Sequence, residues 1–129
     1  MLIAIGLVWR AIQNTPQVSQ SEVVSENGLH WHAELSMYLK GKRMDIPKDI
    51  GIGSIHQPIH THDPDGTIHM EFQGRVSKDD LKFSRFFRNW KKDIQSFGTL
   101  TSMKVNGQEN TEFEQYGMKD KDKIELRYE

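Results

Sequence analysis

Residues 59–73 read IHTHDPDGTIHMEFQ, and the way this stretch folds decides both the architecture and the chemistry of the chain. Asp63, Pro64, Asp65 and Gly66 at its centre form a turn signal, because proline presets its own backbone angle and glycine accepts a positive one. A hairpin folded there pairs His62 with Thr67, Thr61 with Ile68, and His60 with His69. Side chains alternate across a strand. Ile59, Thr61, Ile68, Met70 and Phe72 therefore share one face, and His60, His62, His69 and Glu71 share the other. Residues opposite one another in an antiparallel pair have Cβ atoms about 4.5–5.5 Å apart, so three imidazoles converge from this hairpin alone.

Upstream, residues 29–40 (LHWHAELSMYLK) repeat the period of two. Trp31, Ala33, Leu35, Met37 and Leu39 alternate with His30, His32, Glu34, Ser36 and Tyr38, the pattern of a half-buried strand. A turn at Lys40, Gly41 and Lys42 leads to a return strand over 43–46 that stops at Pro47. Residues 48–58 carry three glycine or proline breaks and read as loop. Downstream, a helix is expected over 77–95, with Ser77 as its N-cap and Asp79 and Asp80 in its first turn. Phe83, Phe87, Trp90 and Ile94, with Phe86 beside them, give its packed stripe, while Lys82, Arg85, Arg88, Lys91 and Lys92 stay solvated. Two further strands follow: 101–105, leading into the Asn106-Gly107 turn, and 123–128, where Ile124, Leu126 and Tyr128 point inward.

Hairpin, helix, then paired strands predicts an α+β domain: a β-grasp-like mixed sheet with one main helix and an inserted histidine-bearing β-hairpin. The ending GMKDKDKIELRYE is similar to ubiquitin-like and sulfur-carrier tails. It lacks the terminal Gly-Gly those carriers use, so the expectation is their fold without their function.

The 129 residues suit one domain. Lys plus Arg number 17 against 18 Asp plus Glu, a formal net charge of -1. So balanced a chain has no global field to hold nucleic acid. There is no cysteine, which excludes disulfides, thiolate ligands and thiol nucleophiles. Any metal must be held by imidazole, carboxylate or backbone oxygen. The chain divides into an apolar N-terminal segment over 1–12, a polar linker over 13–27 and a single domain over 28–129. The run MLIAIGLVW is far shorter than the roughly 20 apolar residues of a membrane span. It is expected to be the stub of a truncated membrane anchor, ahead of an interfacial segment or a packed strand or helix. The linker, with Pro16 and four serine or threonine residues, reads as a tether.

All six histidines lie between positions 30 and 69. His30 and His32 form one H-x-H pair, His60 and His62 another, and each pair projects two imidazoles from one face. If the strand over 29–40 joins the sheet of the hairpin, its pair can complete a four-nitrogen set. Glu34, Asp63 and Glu71 can add oxygen ligands, or acceptors that fix the imidazole tautomers, and His56 in the loop is a further candidate ligand. A lone histidine is more often a surface or structural residue, and a cluster can sense pH. Two H-x-H pairs and a cross-strand partner, all opposite the apolar sets, favour a metal. Thiol-free, imidazole-rich sites suit copper(II), zinc, nickel or iron(II), and copper or zinc is the expected cofactor, for storage, delivery or sensing.

Two other functions compete. Three histidines with an open position suffice for a hydrolytic or oxidative metalloenzyme, with Asp63, Glu34 or Glu71 as base. The sequence contains no complete catalytic constellation, so enzymatic activity stays open. A non-metal protein-interaction module would instead use the sheet edge or the basic helix face. Asp45, Asp49 and Asp120 to Asp122 read as turn and surface residues without calcium-loop spacing. A cupin is a minor alternative fold, disfavoured because Glu34 follows His32 too closely and the second, glycine-spaced cupin motif is missing.

The blocks HWHAELSMYLKGKRMDIPKDIGIG, HTHDPDGTIHMEF and LKFSRFFRNW together resemble a small domain of uncharacterised prokaryotic proteins that are often membrane-anchored and face outward. The resemblance spans residues 29–90, with a looser match through the last strand. It implies His30, His32, His60, His62 and His69 as characteristic residues, an extracytoplasmic tethered location, and no particular activity.

Overall fold

In a computed structural model, residues 22–129 are described. The apolar segment over 1–12 and most of the expected tether lie outside them. Among the described residues, nine strands and one α-helix follow in order. β1 (Val23–Ser25), β2 (Leu29–Leu39), β3 (Lys42–Arg43), β4 (Ile59–His60), β5 (Thr67–Phe72) and β6 (Val76–Ser77) precede helix α1 (Phe83–Trp90). β7 (Leu100–Val105), β8 (Gln108–Glu109) and β9 (Lys123–Tyr128) come after it. The main sheet runs β4-β5-β2-β9-β7-β8, with β3 hooked onto β2. β2 pairs with β9 in parallel, while β2 with β5, β4 with β5 and β7 with β9 are antiparallel. The architecture is thus α+β, a mixed sheet with one α-helix. Val23–Ser25, assigned to the tether by sequence, pairs instead with Val76–Ser77 in a separate two-stranded sheet.

The period-two pattern of β2 plays out as expected. Ala33, Leu35 and Met37 are buried to 1% exposure or less. They join Ile68 and Met70 of β5, Met103 of β7, Ile124, Leu126 and Tyr128 of β9, and Phe83, Phe86 and Phe87 of α1 in one apolar cluster. Each fully buried side chain of this size contributes roughly 1.5–3 kcal/mol, so this face fixes the register. The opposite face of β2 and β5 carries the histidines.

The helix expected over 77–95 is shorter and broken. Only Phe83–Trp90 is α-helical, flanked by 3₁₀ turns at Lys78–Leu81 and Ile94–Phe97. Ser77 and Asp80 do cap, as both the N–H and the hydroxyl of Ser77 donate to the Asp80 carboxylate, at 2.9 and 3.0 Å. What they cap is a 3₁₀ turn, because Lys82 is extended (φ −61°, ψ 139°). Around it Phe83 N–H donates to the Tyr116 carbonyl, and Met118 N–H to the Leu81 carbonyl. At the other end Lys91 turns left-handed (φ 62°) and closes α1. Of the expected return strand over 43–46 only Arg43 is strand, paired within the two-residue β3.

The hairpin over 59–73 keeps the predicted register in its outer pairs, Ile59 with Met70 and His60 with His69. Nearer the turn the strands part. Thr61, fully buried, donates its N–H to the Ile50 carbonyl, and its hydroxyl donates to the Pro47 carbonyl while accepting from Ile50 N–H, all at 3.0 Å. The Gly66 carbonyl turns to β2 and accepts from Leu35 N–H at 2.8 Å. At φ +83°, Gly66 lies so close to the Leu35 carbonyl oxygen that a side chain would overlap it, so this crossing requires glycine.

Candidate metal centre

The strand order sets three histidines in a row across three strands. His69 on β5 is flanked by His32 on β2 and by His60 on β4. One step along, His30 stands opposite Glu71. The condition raised by the sequence, that the strand over 29–40 join the sheet of the hairpin, is met through β5. His62 enters from the segment after β4 and His56 from the glycine-rich loop before it. That loop is clipped back on itself, with Ile52 bridging His56 and Gln57 N–H donating to the Gly51 carbonyl at 2.8 Å.

The ring nitrogens meet. His60 Nε2 lies 3.1 Å from His62 Nε2 and 3.3 Å from His56 Nε2. Zinc–nitrogen bonds of about 2.0–2.1 Å in a tetrahedron place ligand nitrogens about 3.3–3.4 Å apart, so these spacings suit nitrogens that share an ion, as they also suit an N–H···N hydrogen bond between imidazoles. Three sets of donors lie within 4.8 Å of one another: His56, His60 and His62; His30, His32 and His69; and His62, His69 and Glu71. Glu71 Oε1 stands among four imidazoles, 3.4 Å from His60 Nε2, 3.5 Å from His30 Nε2, 3.7 Å from His62 Nε2 and 3.9 Å from His69 Nδ1.

Hydrogen bonding fixes which nitrogen faces inward. His60 Nδ1–H donates to the Gln57 carbonyl at 2.7 Å, so its Nε2 carries the lone pair that points into the cluster. A backbone carbonyl holding the far nitrogen is the usual support of a metal-ligating histidine. His69 Nδ1 is buried and has no hydrogen-bond partner. Such an atom costs about 1–3 kcal/mol, and a cation at this nitrogen would remove that cost.

The electrostatics favour the neutral form of His60 and His69 and the charged form of Glu71. Burial, outweighing the Gln57 carbonyl, pushes His60 below its ordinary value, with His56 and His62 adding to the fall. His69 is lowered by burial and then by His62, His32 and His60. For Glu71 burial pushes upward, but His60, His30, His62 and His69 together hold the carboxyl below its usual range. Neutral imidazole and ionised carboxylate are the forms that ligate. His30, His56, His60 and Glu71 also line a cleft of about 680 Å³ that opens to solvent.

All six histidines and Glu71 thus fall into the ligand-spaced sets. Glu34 and Asp63 do not: Glu34 lies opposite Thr67 and Lys123, and Asp63 is exposed in the turn. The support of His32 was missed by sequence. Its N–H donates to Asp120 Oδ1 at 3.0 Å, and its carbonyl accepts from Lys121 N–H at 2.7 Å. Nor is Asp122 a surface residue. It is 4% exposed and accepts from the Tyr116 hydroxyl at 2.6 Å, from Lys119 N–H at 2.8 Å and from Asn106 Nδ2 at 3.0 Å. The run of charges from Asp120 to Lys123 gave no signal for this, because the partners come from distant turns. Comparison with known proteins finds no matching family model, no matching curated protein and no matching solved structure.

Proposed function

We propose that this domain is a transition-metal-binding module that holds copper or zinc in its histidine cluster, for storage, delivery or sensing of the ion. The observation that carries the proposal is the surroundings of His60. Its Nε2 meets His56, His62 and Glu71 within 3.1–3.4 Å, while its other nitrogen is held by Gln57. Nitrogen-rich donors without thiolate select copper(II) or zinc over calcium or magnesium. The parallel pairing of β2 with β9, and α1 between β2 and β7 in the chain, support reading the fold as a β-grasp. The proposal includes a tethered position at the outer surface of a membrane. The apolar run over 1–9 and the resemblance of the HWHA and HTHD blocks support it. No helix among the described residues is long and apolar enough to cross a membrane.

The test is elemental analysis of untagged protein beside a His60→Ala/His62→Ala variant. Copper or zinc at one equivalent or more, with at least one equivalent lost in the variant, is the expected result. No metal in either, and none taken up on addition, would end the proposal and leave a structural or pH-sensing cluster. A second reading, a hydrolytic or oxidative metalloenzyme, draws on the open cleft at His30 and His56. A coordination sphere closed by four protein ligands would count against it.

A further inference from the structure

We infer that the cluster takes two divalent metal ions, with the Glu71 carboxylate between them; this rests on the metal-binding reading above and extends it. The donors outnumber what one ion takes. Zinc in a closed protein site accepts four ligands, whereas six imidazoles and one carboxylate converge here. They divide into two triads with no member in common: His56, His60 and His62 from the loop and β4, and His30, His32 and His69 from β2 and β5.

The triads adjoin at Glu71. Its Oε1 lies 3.4 and 3.7 Å from His60 and His62 of the first triad, and 3.5 and 3.9 Å from His30 and His69 of the second. The set formed by His62, His69 and Glu71 takes one imidazole from each triad. With the carboxylate shared, each triad has four protein donors. The negative charge between the two positions also offsets part of the repulsion between two cations, which is largest where water is excluded.

An ion confined to the first triad leaves a residue of unexplained structure. Seated on His56, His60 and His62, it does nothing for His69 Nδ1, which stays buried and without a partner. A second ion among His30, His32 and His69 draws on that histidine. The ligand class follows from the donors: divalent cations that prefer imidazole, zinc or copper(II), in place of the oxygen-seeking calcium or magnesium.

The experiment is titration of the metal-free, untagged chain with zinc chloride, read by native mass spectrometry. Uptake of two ions by the wild type, and of one by His56→Ala and by His32→Ala, is expected. The same protein loaded with two equivalents of copper(II) should show a spin-coupled electron paramagnetic resonance spectrum that is lacking at one equivalent. Saturation at one ion in the wild type overturns the second position and leaves the metal-binding module standing. Two ions without spin coupling overturn the shared carboxylate. No uptake overturns both readings, and the wild-type count decides even if a variant does not fold.

Discussion

Replacing Gly66 with alanine tests the crossing on which the site is hung. Gly66 has φ +83°, and its carbonyl accepts from Leu35 N–H at 2.8 Å. An added Cβ pays first for the left-handed backbone, about 1–2 kcal/mol. It then overlaps the Leu35 carbonyl oxygen, which forces the two strands apart and breaks the hydrogen bond beside it. A buried backbone group left unpaired costs about 1–3 kcal/mol more, for a total of about 2–5 kcal/mol. Gly41→Ala is the control, since it has φ +81° but nothing within 4 Å of the new Cβ, so only the backbone cost of about 1–2 kcal/mol applies. Urea denaturation of both variants, read as midpoint shifts at constant slope, should place Gly66→Ala below Gly41→Ala by about 1–3 kcal/mol. Because β5 begins at the next residue, the folded fraction should also bind metal less tightly, as His69 shifts against His32. Equal losses in the two variants would refute the close approach and the register derived from it.

Three further outcomes follow from the same geometry. The metal-free protein should lose stability as pH falls below about 6.5: His60 and His69 are lowered in the fold, so the unfolded chain binds more protons there. Each contributes a slope of at most about 1.4 kcal/mol per pH unit, whereas the lowered Glu71 acts in a separate, more acid window below about 4.5. Urea midpoints unchanged between about pH 7.5 and 5.5 would contradict this. Zinc at a hundredfold excess over its dissociation constant should stabilise the wild type by about 2.7 kcal/mol per ion bound, and thermal melts should show a clear rise that His60→Ala diminishes; an equal rise in both would remove His60 from the site. Tyr116→Phe deletes the 2.6 Å bond to buried Asp122 and should cost about 1.5–3 kcal/mol, measured by denaturant titration, with a neutral result showing that Asp122 is held by its other donors.

The parts of this molecule legible in its sequence are those governed by local period. Alternation over 29–40 gave β2 and both of its faces, and the turn over 63–66 gave the pairing of His60 with His69, because a two-residue repeat and a proline–glycine turn act over a few residues. The neighbour of β5 was a condition and not a deduction, since strand order depends on contacts between distant segments. The helix shows the same divide. The spacing of Phe83, Phe87 and Trp90 is helical and the residues are helical, but the breaks at Lys82 and Lys91 come from pairing with residues 116–118 and from a left-handed cap. His56 was placed only as a loop candidate, because a loop has no period from which to read direction. Asp120 and Asp122 look like any charged turn until His32, Tyr116 and Asn106 are brought against them.

One consequence of the alternation explains why the histidines sit where they do. The repeat that buries Ala33, Ile68 and Met70 also sends His32, His69 and Glu71 to the far side of the same two strands. A one-residue slip of β5 would expose its apolar set and bury its polar one, so the core and the cluster specify one register together. The core supplies the energy for it. In the metal-free state one atom of the cluster opposes it, since His69 Nδ1 is buried unpaired. A buried polar group without a partner is costly, and on the proposed function an ion would satisfy this one. On the proposed function, His60, fixed by β4 at 3.1–3.3 Å from His62 and His56, is preorganised for an ion. Ion binding would then relieve the cost of assembling them, which ties the affinity of the cluster to the packing behind it.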